Sequence, residues 1–315
     1  MPNALPEAAI ARFRSDLIDL AGSVPDRLGI AVSGGPDSLA LLALGHAAFP
    51  GAVHAATVDH GLRPEAADEA AGVAAICAAR DIPHETLILQ GPPHGNVQGW
   101  ARQHRYAALD AWAESQHLPF LLTAHHADDQ LETLIMRINR GSGLGGLAGI
   151  RPRNGKILRP LLAWRRKELQ RIVDAAGLVA FDDPGNQDDR FDRARLRKAL
   201  AQADWLDPVA ATRSAALLAE AEVALEWCAE SWFARRVAER NGVHSLDPGG
   251  LPGELLRRLT LRCLRAVNPE ARPRGSELDR LIAGLHEDRV ATLAGVRCTG
   301  GTFWLFAPSP PRRKN

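Results

Sequence analysis

The chain has 315 residues and carries 38 Lys+Arg against 37 Asp+Glu, so it is long enough for two hydrophobic cores and close to neutral. No stretch approaches the ~18 consecutive apolar residues of a membrane-spanning helix. The cysteines Cys77, Cys228, Cys263 and Cys298 form no Cys-x-x-Cys pair, which leaves zinc ribbons, iron–sulfur clusters and dithiol redox motifs without support and fits reduced thiols in the cytoplasm.

The opening "MPNALPEAAIARFRSDLIDLAG" reads as an amphipathic first helix, since acidic residues interrupt its apolar pattern and no basic start precedes it. Strand and helix signals then alternate. "RLGIAVS" is a short apolar run, and "LALLALGHAA" follows as a helix. "AVHAATVDH" is a second strand and "EAADEAAGVAAICAAR" a second helix of the alternation. "HETLILQ" is a third strand, and "NVQGWARQHRYAALDAWAESQHL" a long amphipathic helix. "PFLLTA" is a fourth strand, and "DDQLETLIMRINRG" a helix stopped by Gly141. This rhythm predicts an α/β fold, a doubly wound and mostly parallel sheet with helices on both faces. Ligands of such sheets bind beyond the carboxyl ends of the strands.

Residues 141–150, "GSGLGGLAGI", read as a mobile loop too rich in glycine for a helix. "ILRPLLAW" is one more extended segment, "RRKELQRIVDAAGL" a helix, and "FDDPGNQDDRFDRARLRKAL" a polar loop that becomes a basic helix. "DWLDP" (204–208) is the expected boundary, giving a domain over 1–205 and a smaller, mainly helical domain over 206–315. The latter ends in an alternating segment that turns at Gly300-Gly301 like a hairpin. Residues 191–315 hold 20 Lys+Arg against 15 Asp+Glu, almost all the cations being Arg. That surplus suits phosphate contact, and equally a surface of ordinary solvated arginines.

The first strand ends in "SGGPDS". Ser33, Gly34 and Gly35 let backbone N–H groups converge on an anion, and the helix that follows adds its N-terminal dipole. Pro36 suits the first helical position, and Ser38 closes the motif. Asp37 would repel a triphosphate unless Mg²⁺ stood between them. No Walker lysine follows the glycines.

The hexapeptide resembles the SGGxDS signature of the PP-loop ATP pyrophosphatases, which cleave ATP between its α and β phosphates. Further segments are "VDHGLRPEA" (58–66), "ARQHRY" (101–106), "LLTAHHADDQLET" (121–133), "RGSGLGGLAGI" (140–150) and "FDDPGN" (181–186). In this order the chain resembles the tRNA(Ile)-lysidine synthetase family over roughly residues 25–200. It looks like a short version, without room for the extra C-terminal domain of longer members.

The resemblance implies two steps with ATP, Mg²⁺, free L-lysine and an isoleucine tRNA with a CAU anticodon. The wobble cytidine is adenylated on its C2 oxygen, and the lysine ε-amine then displaces AMP. It implies that Asp37 holds Mg²⁺ and that Asp59 and His60 line the nucleotide pocket. Arg102 or Arg105 stabilises developing charge. His125 contacts phosphate or moves a proton, and Asp129 orients cytidine or takes a proton from the amine. Arg140, Gly141 and Gly143 belong to a loop that folds over the anticodon. Arg193, Arg197 and Lys198 either grip tRNA phosphates or form a solvent face balanced by the acidic residues before them. Asp128 and Glu132 read as helix surface or as support for the site. Trp232, Phe233, Trp304 and Phe306 read as core rather than as stacking platforms.

"HHADD" also has the spacing of a metal site, without a third ligand set. Rival readings are a cytidine-thiolating enzyme, which generally carries Cys pairs, an amidotransferase-type synthetase, and a non-enzymatic ATP sensor. The last would have no use for Arg102, His125 and Asp129. No membrane association or protein partner is expected, and a homodimer stays open.

Overall fold

The computed structural model describes residues 4–61, 65–89, 97–181 and 192–310. The chain divides into two compact units between Ala219 and Glu220.

The first unit contains α1 (Glu7–Ala21), β1 (Leu28–Ala31), α2 (Pro36–Ala48), β2 (Val53–Asp59), α3 (Glu65–Ala78), β3 (His84–Ile88) and α4 (Val97–Ser115). It continues with β4 (Leu121–Leu122), α5 (Ala127–Asn139), α6 (Leu144–Leu147), β5 (Arg153–Asn154), β6 (Ile157–Leu158), α7 (Arg166–Ala175), α8 (Asp192–Leu200) and the start of α9 (Pro208–Arg236). The sheet runs β3-β2-β1-β4-β6-β5, parallel throughout except for β5, which pairs antiparallel with β6. In register, Ile30 of β1 lies between Ala55 of β2 and Leu122 of β4.

α2 is apolar nearly all round because it is buried nearly all round, with Leu39, Leu41, Leu42 and Leu44 in the core. A Cβ at Gly45 would come within 2.7 Å of Ile30 Cδ1, so glycine there lets α2 lie against β1. This packing fixes where the N-terminus of α2 stands at the edge of the sheet.

Two local expectations change. The glycine-rich 141–150 segment contains one helical turn, α6, whose first residue follows an extended Gly143. Its far end is tied down: Gln130, buried in α5, donates to the Ile150 carbonyl at 3.1 Å and accepts from the Ile150 N–H at 2.7 Å. "ILRPLLAW" is extended only over β6 and then turns.

The second unit has α10 (Gly253–Val267) and α11 (Gly275–His286) beside an antiparallel sheet. The sheet comprises β7 (Val237–Arg240), β8 (Val243–Leu246), β9 (Val290–Leu293), β10 (Val296–Thr299) and β11 (Trp304–Pro308), ordered β7-β8-β11-β10-β9. This is more sheet than the sequence suggests. α9 stops at Arg236, and the Asn241-Gly242 pair, both at positive φ, closes a β7–β8 hairpin. The terminal segment makes the expected hairpin through Gly300-Gly301, between β10 and β11, and a further one through Ala294-Gly295, between β9 and β10. Trp304 and Phe306 are buried with Val296, Cys298 and Leu246 against α10 leucines, and Trp232 and Phe233 pack on the same core. The four aromatics are therefore core residues, as expected.

Candidate active site

The site grows from the carboxyl ends of β1 and β4, adjacent strands of one parallel sheet. β1 feeds the "SGGPDS" loop. Gly34 has φ +83, a conformation costly for any side chain, and a Cβ there would stand 2.8 Å from the ring of Phe181. The Phe181 N–H donates to the Gly34 carbonyl at 3.0 Å, so this residue pins the loop from outside. Ser38 pins it from within: its Oγ accepts from the Ser33 N–H at 3.1 Å and donates to the Gly35 carbonyl at 2.9 Å. Pro36 opens α2 after an extended Gly35. The first N–H groups of a helix lack intrahelical partners, so this end of α2 is a ready anion cradle.

Asp37 stands in the first turn of α2, with its Oδ1 buried and without a hydrogen-bond partner. Its Oδ2 lies 3.4 Å from His126 Nε2. Burial raises its pKa, but the hydrogen bond from His126, the charge of that ring, and Arg166 and Arg197 outweigh it. The carboxyl is held below its usual range.

β4 leads into α5 through Thr123, His125 and His126. His126 is the N-cap of α5: its Nδ1 accepts from the Asp129 N–H at 3.4 Å, and Asp129 Oδ2 accepts from the His126 N–H at 3.2 Å. Its Nε2 also lies 3.5 Å from Asp129 Oδ2. One buried imidazole thus joins the carboxylate of the phosphate loop to that of α5. Burial favours its neutral form, yet Asp37, Asp129 and Asp128 raise its pKa above the usual value.

His125 behaves oppositely. Its pKa is lowered to about 4, chiefly by burial, with Asp129 opposing and Arg159, Arg102 and Arg193 adding to the drop. It is a neutral imidazole, with Nδ1 at 3.1 Å from Thr123 Oγ1. A neutral ring can donate to a phosphoryl oxygen without itself carrying charge.

The basic helix α8 folds onto α5. Arg193 donates from Nη2 to Asp129 Oδ1 and from Nε to Glu132 Oε2, both at 2.7 Å. Arg197 donates from Nε to Glu132 Oε1 at 2.8 Å. Glu132 is buried, so it is not helix surface; the two guanidiniums overcome its burial and hold its pKa down. The solvent-face reading therefore fails for Arg193 and Arg197. Asp128 accepts from the Arg166 N–H at 2.9 Å and so caps α7.

Other expected residues stand further out. Asp59 ends β2, and its Oδ1 accepts from the Gly61 N–H at 2.8 Å; His60 follows it. Arg102 and Arg105 flank the Tyr106 ring, at 5.1 and 5.4 Å. Arg102 is exposed and its charge reaches His125, whereas Arg105 is more buried, with burial lowering its pKa. Arg140, Gly141 and Gly143 lie past the far end of α5, which at 13 residues puts them about 20 Å along the helix from His126. Of "FDDPGN" only Phe181 falls among the described residues.

Sequence reasoning passed over His126, Arg159 and Phe181. A trace of the first was available: His126 and Asp129 have the N-cap and N3 spacing of a reciprocal cap.

A parallel sheet of this order, with a lysine-free Gly-Gly loop on its first strand and a helix N-terminus behind it, defines a PP-loop nucleotide-binding protein. Residues 7–204 match the family described as the PP-loop domain. The chain belongs to the tRNA(Ile)-lysidine synthase family. It is 43% identical over 305 residues to the tRNA(Ile)-lysidine synthase of Zymomonas mobilis, covering 94% of this chain and 92% of that one. It is 44% identical over 317 residues to that of Novosphingobium aromaticivorans, covering 98% and 96%. Among solved structures, the U34-tRNA thiolase NcsA of Methanococcus maripaludis superposes with a TM-score of 0.55 at 18% identity, over 68% of this chain and 80% of that one; this likeness is one of fold.

Proposed function

We propose that the chain is an ATP-dependent ligase that converts the wobble cytidine of an isoleucine tRNA with a CAU anticodon to lysidine. Free L-lysine is the amine donor, and AMP and pyrophosphate are the other products. The observation that carries this reading is the line Asp37–His126–Asp129, which sets a phosphate loop and a helix-start carboxylate in one cleft of a chain of this family.

In the first step the cytidine O2 attacks the α-phosphorus of ATP, and the bond to pyrophosphate breaks. The amides at the start of α2 receive the phosphates. The orphaned, ionised Asp37 Oδ1 would hold a Mg²⁺ ion. When bound, that ion offsets charge on the phosphates and the departing pyrophosphate. Neutral His125 donates to an α-phosphoryl oxygen, and Arg102 supplies positive charge beside it.

In the second step the lysine ε-amine attacks C2 and the C2–O bond to AMP breaks. The amine must lose a proton, since its ordinary pKa is near ~10. Asp129 is the acceptor, held in place through both oxygens by Arg193 and His126. Such a substrate pair belongs in the cytoplasm.

Cytidine thiolation fits less well. Burial pushes the Cys77 thiol up to about 11 and the Cys263 and Cys298 thiols up to about 12, far from reactive thiolates.

The test is incubation with ATP, Mg²⁺, labelled lysine and unmodified isoleucine tRNA bearing CAU. Label is expected in the RNA only when all components are present. Unlabelled RNA from active, folded protein would reject the reading.

A further inference from the structure

Arg159 follows β6, the strand beside β4, at the carboxyl edge of the sheet. The rung above Leu122 and Leu158 places it next to Thr123, whose N–H donates to the Leu158 carbonyl at 3.1 Å and whose hydroxyl meets His125. Its relative exposure is 6%, so the guanidinium is almost wholly removed from water. One nitrogen, Nη1, donates to the Arg151 carbonyl at 2.7 Å. The Nε is buried without a hydrogen-bond partner. Among the described residues no carboxylate pairs with it.

Arginine is almost never this buried without an anion, because removing a cation from water costs several kcal/mol unless it is paired and hydrogen-bonded. The neighbouring Arg-rich pairs of the cleft do not share this state; Arg193 and Arg197 each have Glu132. Nor does the sheet require it, since the main chain of Arg159 is satisfied by the Pro152 carbonyl whatever the side chain. The position is two strands from the phosphate loop, or about 10 Å at ordinary strand spacing, within reach of a group that extends from that loop toward the acceptor nucleotide.

We propose that Arg159 binds a phosphate oxygen of the reacting substrates, its Nε completing an anion site between β4 and β6 beside His125. The phosphate is either the α-phosphate of the nucleotide or the phosphodiester of the acceptor cytidine. The inference rests on the lysidine-forming reading above. Its charge also explains part of the depressed His125 basicity, so the same residue keeps that ring neutral for donation.

The experiment compares wild type, R159M and R159K, with ATP affinity measured without RNA and steady-state kinetics measured with tRNA and lysine varied separately. Wild type inactive with all substrates would reject the functional reading itself. With wild type active, R159M is expected to melt at or above the wild-type temperature, since an apolar isostere removes an uncompensated buried charge. It is also expected to lose about 100-fold in turnover efficiency. Weakened ATP affinity identifies the α-phosphate as the ligand; a raised KM for tRNA with normal ATP affinity identifies the RNA phosphodiester. A defect confined to the KM for lysine, or wild-type kinetics, overturns the proposal. Should R159M fail to fold, R159K decides. A loss of about 10-fold is expected because lysine lacks the planar fork, and wild-type kinetics overturn the proposal.

Discussion

The sheet edge of the first unit and the helix pair of the second treat charge removed from water in opposite ways. In the first, Asp37 Oδ1 and Arg159 Nε are buried at the carboxyl edge of the sheet with no hydrogen-bond partner. In the second, Arg258 of α10 is surrounded: it donates to Glu222 at 2.6 Å and to Glu254 at 2.9 Å, and it also meets Glu226, which in turn accepts from Arg262 at 2.6 Å. Its pKa is raised, most of all by the hydrogen bond to Glu222. A saturated network stabilises a helix pair and leaves nothing for a ligand. An unsaturated one costs stability and persists where an incoming group completes it. The contrast separates the unit that does chemistry from the ion network that holds a fold.

The sharpest break would come from Asp37→Ala. It is expected to lower tRNA-dependent ATP–pyrophosphate exchange, without lysine, by about 1000-fold while the protein stays folded. Normal exchange would mean that the orphaned oxygen has no chemical task. Asp129→Asn should cost about 100-fold in lysidine formation and less in exchange, because its task falls in the second step; equal losses in both assays would move it to the first. Arg258→Met tests the other side. It strands Glu222, while Glu226 keeps Arg262 and Glu254 keeps Arg257, and should cost about 2 kcal/mol in denaturant titration, reduced from the fully buried case because two of the carboxylates are half-exposed. Its pyrophosphate exchange per folded molecule should match wild type.

The smallest effects are in pH, and the two adjacent histidines differ in sign. His125 has a folded pKa near 4, below the ~6.5 of the unfolded chain, so the unfolded state takes up more protons as pH falls through that window. Stability therefore falls on its account as pH drops from ~6.5 toward ~4, and His125→Gln should flatten that limb. His126 has a raised folded pKa. Its contribution is fully present below ~6.5 and is lost as pH rises through the raised value, so His126→Gln should flatten the opposite limb. Denaturant titrations across pH would check both, and parallel changes in the two variants would contradict the assigned environments.

Much of the first unit was legible because its signals are local. The alternation of strands and helices, the Gly-Gly turn and the Pro at the start of α2 each depend on a few neighbouring residues. The β7–β8 hairpin had an equally local signal in Asn241-Gly242, masked by the helical pattern running into it from α9. Strands β4, β5 and β6, two residues each, are too short to carry any periodicity. Glu132 sits at a helical position that looks like surface until α8 covers it with Arg193 and Arg197.

By itself the amino-acid order determined the class of sheet, the phosphate loop on its first strand, and the carboxylate and histidines that open α5. These follow from backbone preference and from apolar spacing within single elements. Only the tertiary structure decided which of two adjacent histidines faces Asp37, which arginines are neutralised by Glu132, and which one, Arg159, is buried without a counter-charge. Those outcomes turn on distances and desolvation between segments far apart in the chain, where a shift of a few ångströms reverses the sign of a pKa change.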